Sequence, residues 1–221
     1  MSVVLLVRHG QASWGAADYD LLSAVGERQS LVLGSALAAR GFRPEVAVRG
    51  SMKRHRQTAA GAVAAAGWEA EVLEDRGWDE FDHRQMLDLH PRDVGEGEEL
   101  TRAEFQRWFV EATRRWSGGN FADEYDESFR AFGERVEAAL GRIVERLDPM
   151  QDAVVFTSGG PISWVTASLL GGGADVWSQL NPVTVNSSVT KVVVGRRGAT
   201  LVSFNDHSHL EGGDPDLLTY R

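Results

Sequence analysis

Apolar residues along this chain gather in short unbroken runs, and glycine-containing polar turns separate them from stretches of helical period. Val3 to Val7 is the first run, β-branched and aliphatic without alternation, the pattern of a strand covered on both faces. EVAVRG after Pro44, EAEVLE from Glu69, the apolar run AVVF from Ala153, TKVVVG from Thr190 and ATLVSF from Ala199 supply further strands. Helices are predicted between them. Ser23 is placed to cap GERQSLVLGSALAARG, which stops at Gly41. The alanine-rich SMKRHRQTAAGAVAAAG ends at Gly67, and SFRAFGERVEAALGRIVERL shows a clear helical period. AVVFTSGGPISWVTASLL reads as strand, glycine turn and apolar helix in one unit, and GRRG separates the last two strands. Repetition of strand, turn and helix predicts a three-layer α/β/α sandwich on a mostly parallel central sheet.

One stretch breaks the rhythm. From about residue 83 to 125 the chain is polar with interspersed aromatics, among them Trp108, Phe109 and Trp116, and SGGN interrupts it at 117 to 120. It reads as a cap-like insertion of one or two helices within a single domain spanning residues 1–221. Its aromatic residues either fill a small core or shape a ligand's leaving group; helical spacing alone favours packing.

Composition narrows the function. Of 221 residues, 43% are hydrophobic and 25% charged, ordinary values for a globular chain. The net charge of -9 argues against nucleic acid or an anionic membrane as partner, so any phosphate site must be local and focused. With 0 cysteines there is no disulfide, thiolate nucleophile or cysteine metal site. The N-terminus carries no cleavable-signal pattern and no apolar run approaches the ~18 residues of a membrane span. A cytoplasmic location is expected.

Candidate chemistry collects at four junctions where strands end. LLVRHGQ delivers Arg8, His9, Gly10 and Gln11 at the carboxyl end of the first strand, the end that faces the ligand crevice in open α/β sheets. GSMKRHRQTA places Arg54 at a helix start, where backbone N–H groups already favour an anion. RGWDEFDH sets Glu80 and Asp82 after a short strand, and Ser158-Gly159-Gly160 form a strand-to-helix turn able to nest an anion. Arginines to clamp phosphoryl oxygens, a neutral imidazole to attack phosphorus and a carboxylic acid to protonate a leaving oxygen are the equipment of phosphoryl transfer.

These elements resemble the histidine phosphatase superfamily, the phosphoglycerate mutase-like proteins. VVLLVRHGQ is similar to its signature strand, LLSAVGERQSLVLGSAL to its Leu-Thr-x-x-Gly-x-x-Gln helix, and GSMKRHRQTA to its Ser-x-x-x-Arg-x-x-Gln-Thr-Ala element. ESFRAFGERV and FNDHSHL resemble later family segments, so the likeness runs nearly the whole chain. It implies that His9 is the nucleophile, that Arg8 and Arg54 bind the transferred phosphoryl group with Gln11 and Ser158 beside them, and that Glu80 is the proton donor. Glu74, Asp79 and Asp82 are its rivals. Two guanidinium groups near His9 should discourage its protonation. No metal or nucleotide cofactor is implied, and the histidine spacings match no zinc or iron motif.

The chain departs from the family where a second histidine is expected: the turn after the central strand reads Phe156-Thr157-Ser158-Gly159-Gly160. Ser158 can give one hydrogen bond and brings no charge. Ala12 and Gly15 also replace residues that thicken the family's phosphate pocket. His83, next to the proposed acid, is the favoured stand-in, ahead of His55, His207 and His209. The expected function is a phosphomonoesterase acting through phosphohistidine on a phosphorylated small molecule or phosphoprotein. The alternatives are a catalytically impaired phosphate-binding or regulatory protein and, behind it, a mutase-like phosphotransferase.

Overall fold

The structure, a computed structural model, describes residues 1–13, 18–91 and 101–220. Strand β1 (Ser2–Arg8) is buried along almost its full length, as an uninterrupted aliphatic run requires. Helix α1 (Ala24–Ala39) starts where expected, with the Ser23 side chain accepting from the Gly26 N–H. Then follow β2 (Val46–Arg49), α2 (Lys53–Ala66) and β3 (Val72–Glu74), with Gly67 closing α2 in the left-handed region. After α3 (His83–Asp88), α4 (Arg102–Ser117) and α5 (Phe129–Arg146), the chain returns as β4 (Ala153–Thr157) and α6 (Gly159–Leu169). A short α7 (Ala174–Leu180) precedes the hairpin of β5 (Val189–Gly195) and β6 (Gly198–Asp206).

The strands lie in the order β3-β2-β4-β1-β5-β6. β1 and β2 both pair with β4 in parallel, and β3 continues the parallel set beside β2. β5 runs antiparallel to both β1 and β6, so a single strand of the sheet opposes the rest. The sheet is therefore mixed within the expected sandwich.

Pleating distributes its side chains. Leu5, Val7, Val154 and Phe156 pack with Leu33 and Leu37 of α1 and with Ala59 and Ala62 of α2. Val4, Leu6 and Val155, one residue out of step, occupy the opposite face and are equally buried.

Contacts divide the chain into one unit of Met1–Glu80 with Val136–Arg221 and another of Phe81–Arg135. The segment expected as an insertion, about 83 to 125, falls within the second unit. That unit has its own aromatic core: Phe81 stacks on Trp116 at 4.8 Å between ring centres, and Trp116 meets Phe129 edge-on at 5.0 Å. The indole N–H of Trp116 donates to the Glu127 carbonyl at 2.8 Å. Thr101 and Glu104 form a reciprocal capping box at the start of α4. Among the described residues no helix is long and apolar enough to cross a membrane.

Candidate active site

The first unit brings the ends of four parallel strands together. Arg8 is in register with Thr157, and the His9 N–H donates to the Thr157 carbonyl at 2.8 Å. The Gly50 N–H, just past β2, donates to the Phe156 carbonyl at 3.0 Å. β1 therefore presents Arg8 and His9, β2 leads into Arg54 and His55 on α2, β3 leads to Glu80, and β4 leads to Ser158 at the foot of α6. This is the carboxyl edge of the sheet, where ligands of open α/β folds sit.

His9 is buried, and its Nδ1 lies 2.7 Å from the Gly10 carbonyl oxygen. A carbonyl only accepts, so Nδ1 carries the ring hydrogen and Nε2 keeps its lone pair. The backbone is pinned as well: Asn186 Nδ2 and the Ser187 N–H both donate to the His9 carbonyl at 3.2 Å. Burial above all, then the charges of Arg54 and Arg8 and the neighbouring His55, holds the imidazole well below its ordinary value of 6.5. The ring is a neutral base with one usable nitrogen.

Both expected arginines are present and buried. Arg8 Nη1 donates to the carbonyls of Thr184 and, at 2.7 Å, Tyr220, which fixes the plane of its guanidinium. Arg54 Nη1 is bound to Asp20 Oδ1 at 2.7 Å, while Asp20 Oδ2 accepts the Lys53 N–H at 2.8 Å and so caps the start of α2. Thr58 Oγ1 ties the two loops together, accepting from the Gly10 N–H at 3.0 Å and donating to the Arg54 carbonyl at 2.8 Å. Gln11 spends its amide oxygen on the Ser23 hydroxyl at 2.9 Å, leaving its NH₂ as the end able to meet a phosphoryl oxygen. Gly15, expected to thin this pocket, lies outside the described residues; Ala12 is tied into an isolated bridge with Leu22.

The carboxylates separate by what they hold. Glu80 Oε2 accepts from the Gly160 N–H at 3.2 Å, at the foot of α6 and beside Ser158. Glu74 pairs with Arg49 at 2.9 Å, and Asp79 accepts the N–H and hydroxyl of Ser51, each at 2.6 Å. Asp82 caps α3 through the N–H groups of Arg84 and Gln85. Three of the four candidates thus stabilise local backbone or pair with an arginine.

His83, the favoured stand-in, is the first residue of α3 in the second unit. The histidine that meets Ser158 is His55, with Nε2 2.7 Å from the serine oxygen and a ring centre 5.7 Å from that of His9. His55 and Ser158 both have 0% relative exposure. Burial chiefly, helped by Arg54 and Arg49, keeps His55 neutral. Its one available signal was position, since it follows Arg54 and points inward once α2 begins at Lys53. His209 meets the Ser187 hydroxyl at 3.5 Å and is lowered to about 4 by burial above all, in keeping with a supporting place. Also missed were Asn186, which braces His9, and Gln29, whose buried amide accepts the Gln11 N–H at 2.7 Å and donates to the Leu217 carbonyl at 2.8 Å.

A model of the histidine phosphatase superfamily (branch 1) matches residues 4–207. Among solved structures, a phosphoserine phosphatase from Entamoeba histolytica superposes with a TM-score of 0.70 at 18% identity, covering 95% of this chain and 100% of that one. A phosphoglycerate mutase from Bacillus anthracis gives 0.69 at 18% identity, covering 95% of each chain. A mycobacterial glucosyl-3-phosphoglycerate phosphatase gives 0.65 at 20% identity, over 93% of this chain and 99% of that one. At such identities the likeness is one of fold. No curated protein sequence matches significantly.

Proposed function

Since the chain belongs to the histidine phosphatase superfamily, we propose that it is a phosphomonoesterase whose phosphoryl acceptor is His9. The observation that carries this reading is the 2.7 Å contact of His9 Nδ1 with the Gly10 carbonyl, because it leaves Nε2 as an unprotonated nucleophile in the field of Arg54 and Arg8.

In the first step the Nε2 lone pair attacks the phosphorus of a monoester in line with the ester oxygen. The N–P bond forms as the P–O bond to the leaving group breaks, and Arg8 and Arg54 balance the charge on the equatorial oxygens. Glu80, in its acid form, gives its proton to the departing oxygen, so the product leaves as an alcohol. In the second step water attacks the same phosphorus. Glu80, now a carboxylate, takes the water's proton, the N–P bond breaks, and inorganic phosphate departs with His9 and Glu80 restored.

Ser158 favours one other reading. A neutral hydroxyl paired with a neutral imidazole supports phosphate binding better than it supports fast turnover, as a regulatory phosphate-binding protein would require. Phosphate release from a panel of phosphomonoesters, with His9→Ala in parallel, decides between them. Turnover and an acid-labile phosphoenzyme, both lost in His9→Ala, establish the phosphatase. Phosphate binding without turnover above that variant replaces it with the binding protein.

A further inference from the structure

A buried imidazole is a poor filler. One of the two ring nitrogens of His55, Nδ1, is buried without a hydrogen-bond partner, and leaving such a group unpaired costs ~1–3 kcal/mol that an apolar side chain of similar volume would avoid. The Asp79 Oδ1 carboxylate oxygen stands 3.9 Å away and already accepts from Ser51. Room for the ring is made by Gly50, where a Cβ would lie 2.2 Å from Nδ1. The other nitrogen, Nε2, makes the 2.7 Å bond to Ser158. What the polar ring does at this position is directed at that hydroxyl.

Hydrogen counting shows what the bond can achieve. Phosphoryl oxygens only accept, and the serine hydroxyl has a single hydrogen. If that hydrogen points to His55, Ser158 turns lone pairs toward the phosphate. If instead Nε2–H donates to the serine oxygen, the hydroxyl hydrogen is released for a phosphoryl oxygen. A neutral imidazole in this tautomer leaves a lone pair at Nδ1, and an unpaired buried acceptor is less costly than an unpaired buried N–H.

We propose that His55 is a positioning residue that holds the Ser158 hydroxyl as a donor to the phosphoryl group bound at His9. The pair thereby brings an imidazole to the edge of the site from helix α2, across 103 residues of sequence. The inference rests on the phosphatase reading for its substrate, but its test separates the two.

The test is a double-mutant cycle of His55→Ala and Ser158→Ala, read as kcat/KM for p-nitrophenyl phosphate and as Kd for inorganic phosphate. Each single variant should lose about 10- to 100-fold in kcat/KM, and the double variant no more than the worse single one. His55→Gln, whose amide Nε2–H can reach the hydroxyl, should recover most of the loss; His55→Met, similar in bulk and without a donor, should not. Losses that multiply, a folded His55→Ala with unchanged kcat/KM, or His55→Gln no better than His55→Met would each overturn the proposal. If His55→Ala fails to fold, the Gln and Met pair decides alone. If the unaltered protein binds phosphate but releases none from the ester, the phosphatase reading falls, and the same cycle in phosphate Kd still decides the role of His55.

Discussion

Gly10 and Gly26 meet backbone to backbone. A Cβ on Gly10 would lie 2.4 Å from the Gly26 carbonyl oxygen, and one on Gly26 would lie 2.2 Å from the Gln11 carbonyl oxygen. The loop after His9 is thus pressed against the first turn of α1, and the Ser23 N–H donates to the Gln11 carbonyl at 2.9 Å across the same contact. Neither clash can be relieved by rotating a side chain. Gly10→Ala and Gly26→Ala should each cost about 3 kcal/mol or more, the upper end of overpacking, seen as a lower urea midpoint with an unchanged m-value. A variant of wild-type stability would show that the two backbones are further apart.

Local chemistry made much of this site legible. His9, Arg8 and Arg54 sit where strand and helix signals place them, because a strand end and a helix start are encoded within a few residues. The partner of Ser158 was not legible, since the His55 contact spans 103 positions and depends on how α2 packs beside β4. His83 was favoured by adjacency to Glu80; it is the first residue of α3, which Asp82 caps. Alternation and run length carry no direction either. TKVVVG could be recognised as a strand but not as one antiparallel to β1. The short α7, behind three consecutive glycines, gave too little periodicity to detect.

Arg54 is buried and held by Asp20 at 2.7 Å, so its guanidinium is oriented before any ligand arrives. Arg54→Ala should reduce kcat/KM by about 100-fold or more and weaken inorganic phosphate binding in parallel. Arg54→Lys should restore little, because an ammonium cannot hold Asp20 and a phosphoryl oxygen with one planar fork. Steady-state kinetics and phosphate calorimetry on both variants check this. Unchanged values would remove Arg54 from the phosphate site.

Three histidines, His9, His55 and His209, are held below 6.5, each chiefly by burial. The unfolded chain takes up their protons near pH 6.5 while the native state stays neutral, so the native state binds fewer protons. Stability therefore rises with pH through this window and falls as pH drops below about 6.5, by up to ~1.4 kcal/mol per pH unit for each histidine. For His209 the loss continues to about 4. Carboxylates held low, such as Asp18 by Lys53 and Asp214 by Arg28, lose their contribution only at more acid pH. Urea midpoints should fall steadily from pH 7 to pH 5, and His209→Gln should flatten that slope. A flat profile would mean that these rings are hydrated.

Glu80 is the carboxylate at the foot of α6, and the task proposed for it is protonating the leaving oxygen. The need for that proton depends on the substrate. Glu80→Gln should slow an alkyl phosphate by about 100- to 10,000-fold and p-nitrophenyl phosphate far less, since nitrophenolate leaves without help. Glu74→Gln, which removes the carboxylate paired with Arg49, should show no such selectivity. Equal losses on both esters for Glu80→Gln would assign the carboxylate to positioning the turn.

Placing a histidine at position 158 tests whether the site lacks an imidazole or already has one. Ser158 has 0% relative exposure and its oxygen lies 2.7 Å from His55 Nε2, so a second ring has no space while His55 is present. Ser158→His alone should lower the unfolding midpoint, by about 1–3 kcal/mol of overpacking, and reduce turnover rather than raise it. Removing the first ring changes the sign: Ser158→His with His55→Ala should be more stable and more active than Ser158→His alone, because one imidazole then occupies the space of one. Calorimetric melting and phosphate release on the two variants give the comparison. Higher turnover from Ser158→His alone would mean that the natural site is short of a histidine and that His55 does not serve in its place.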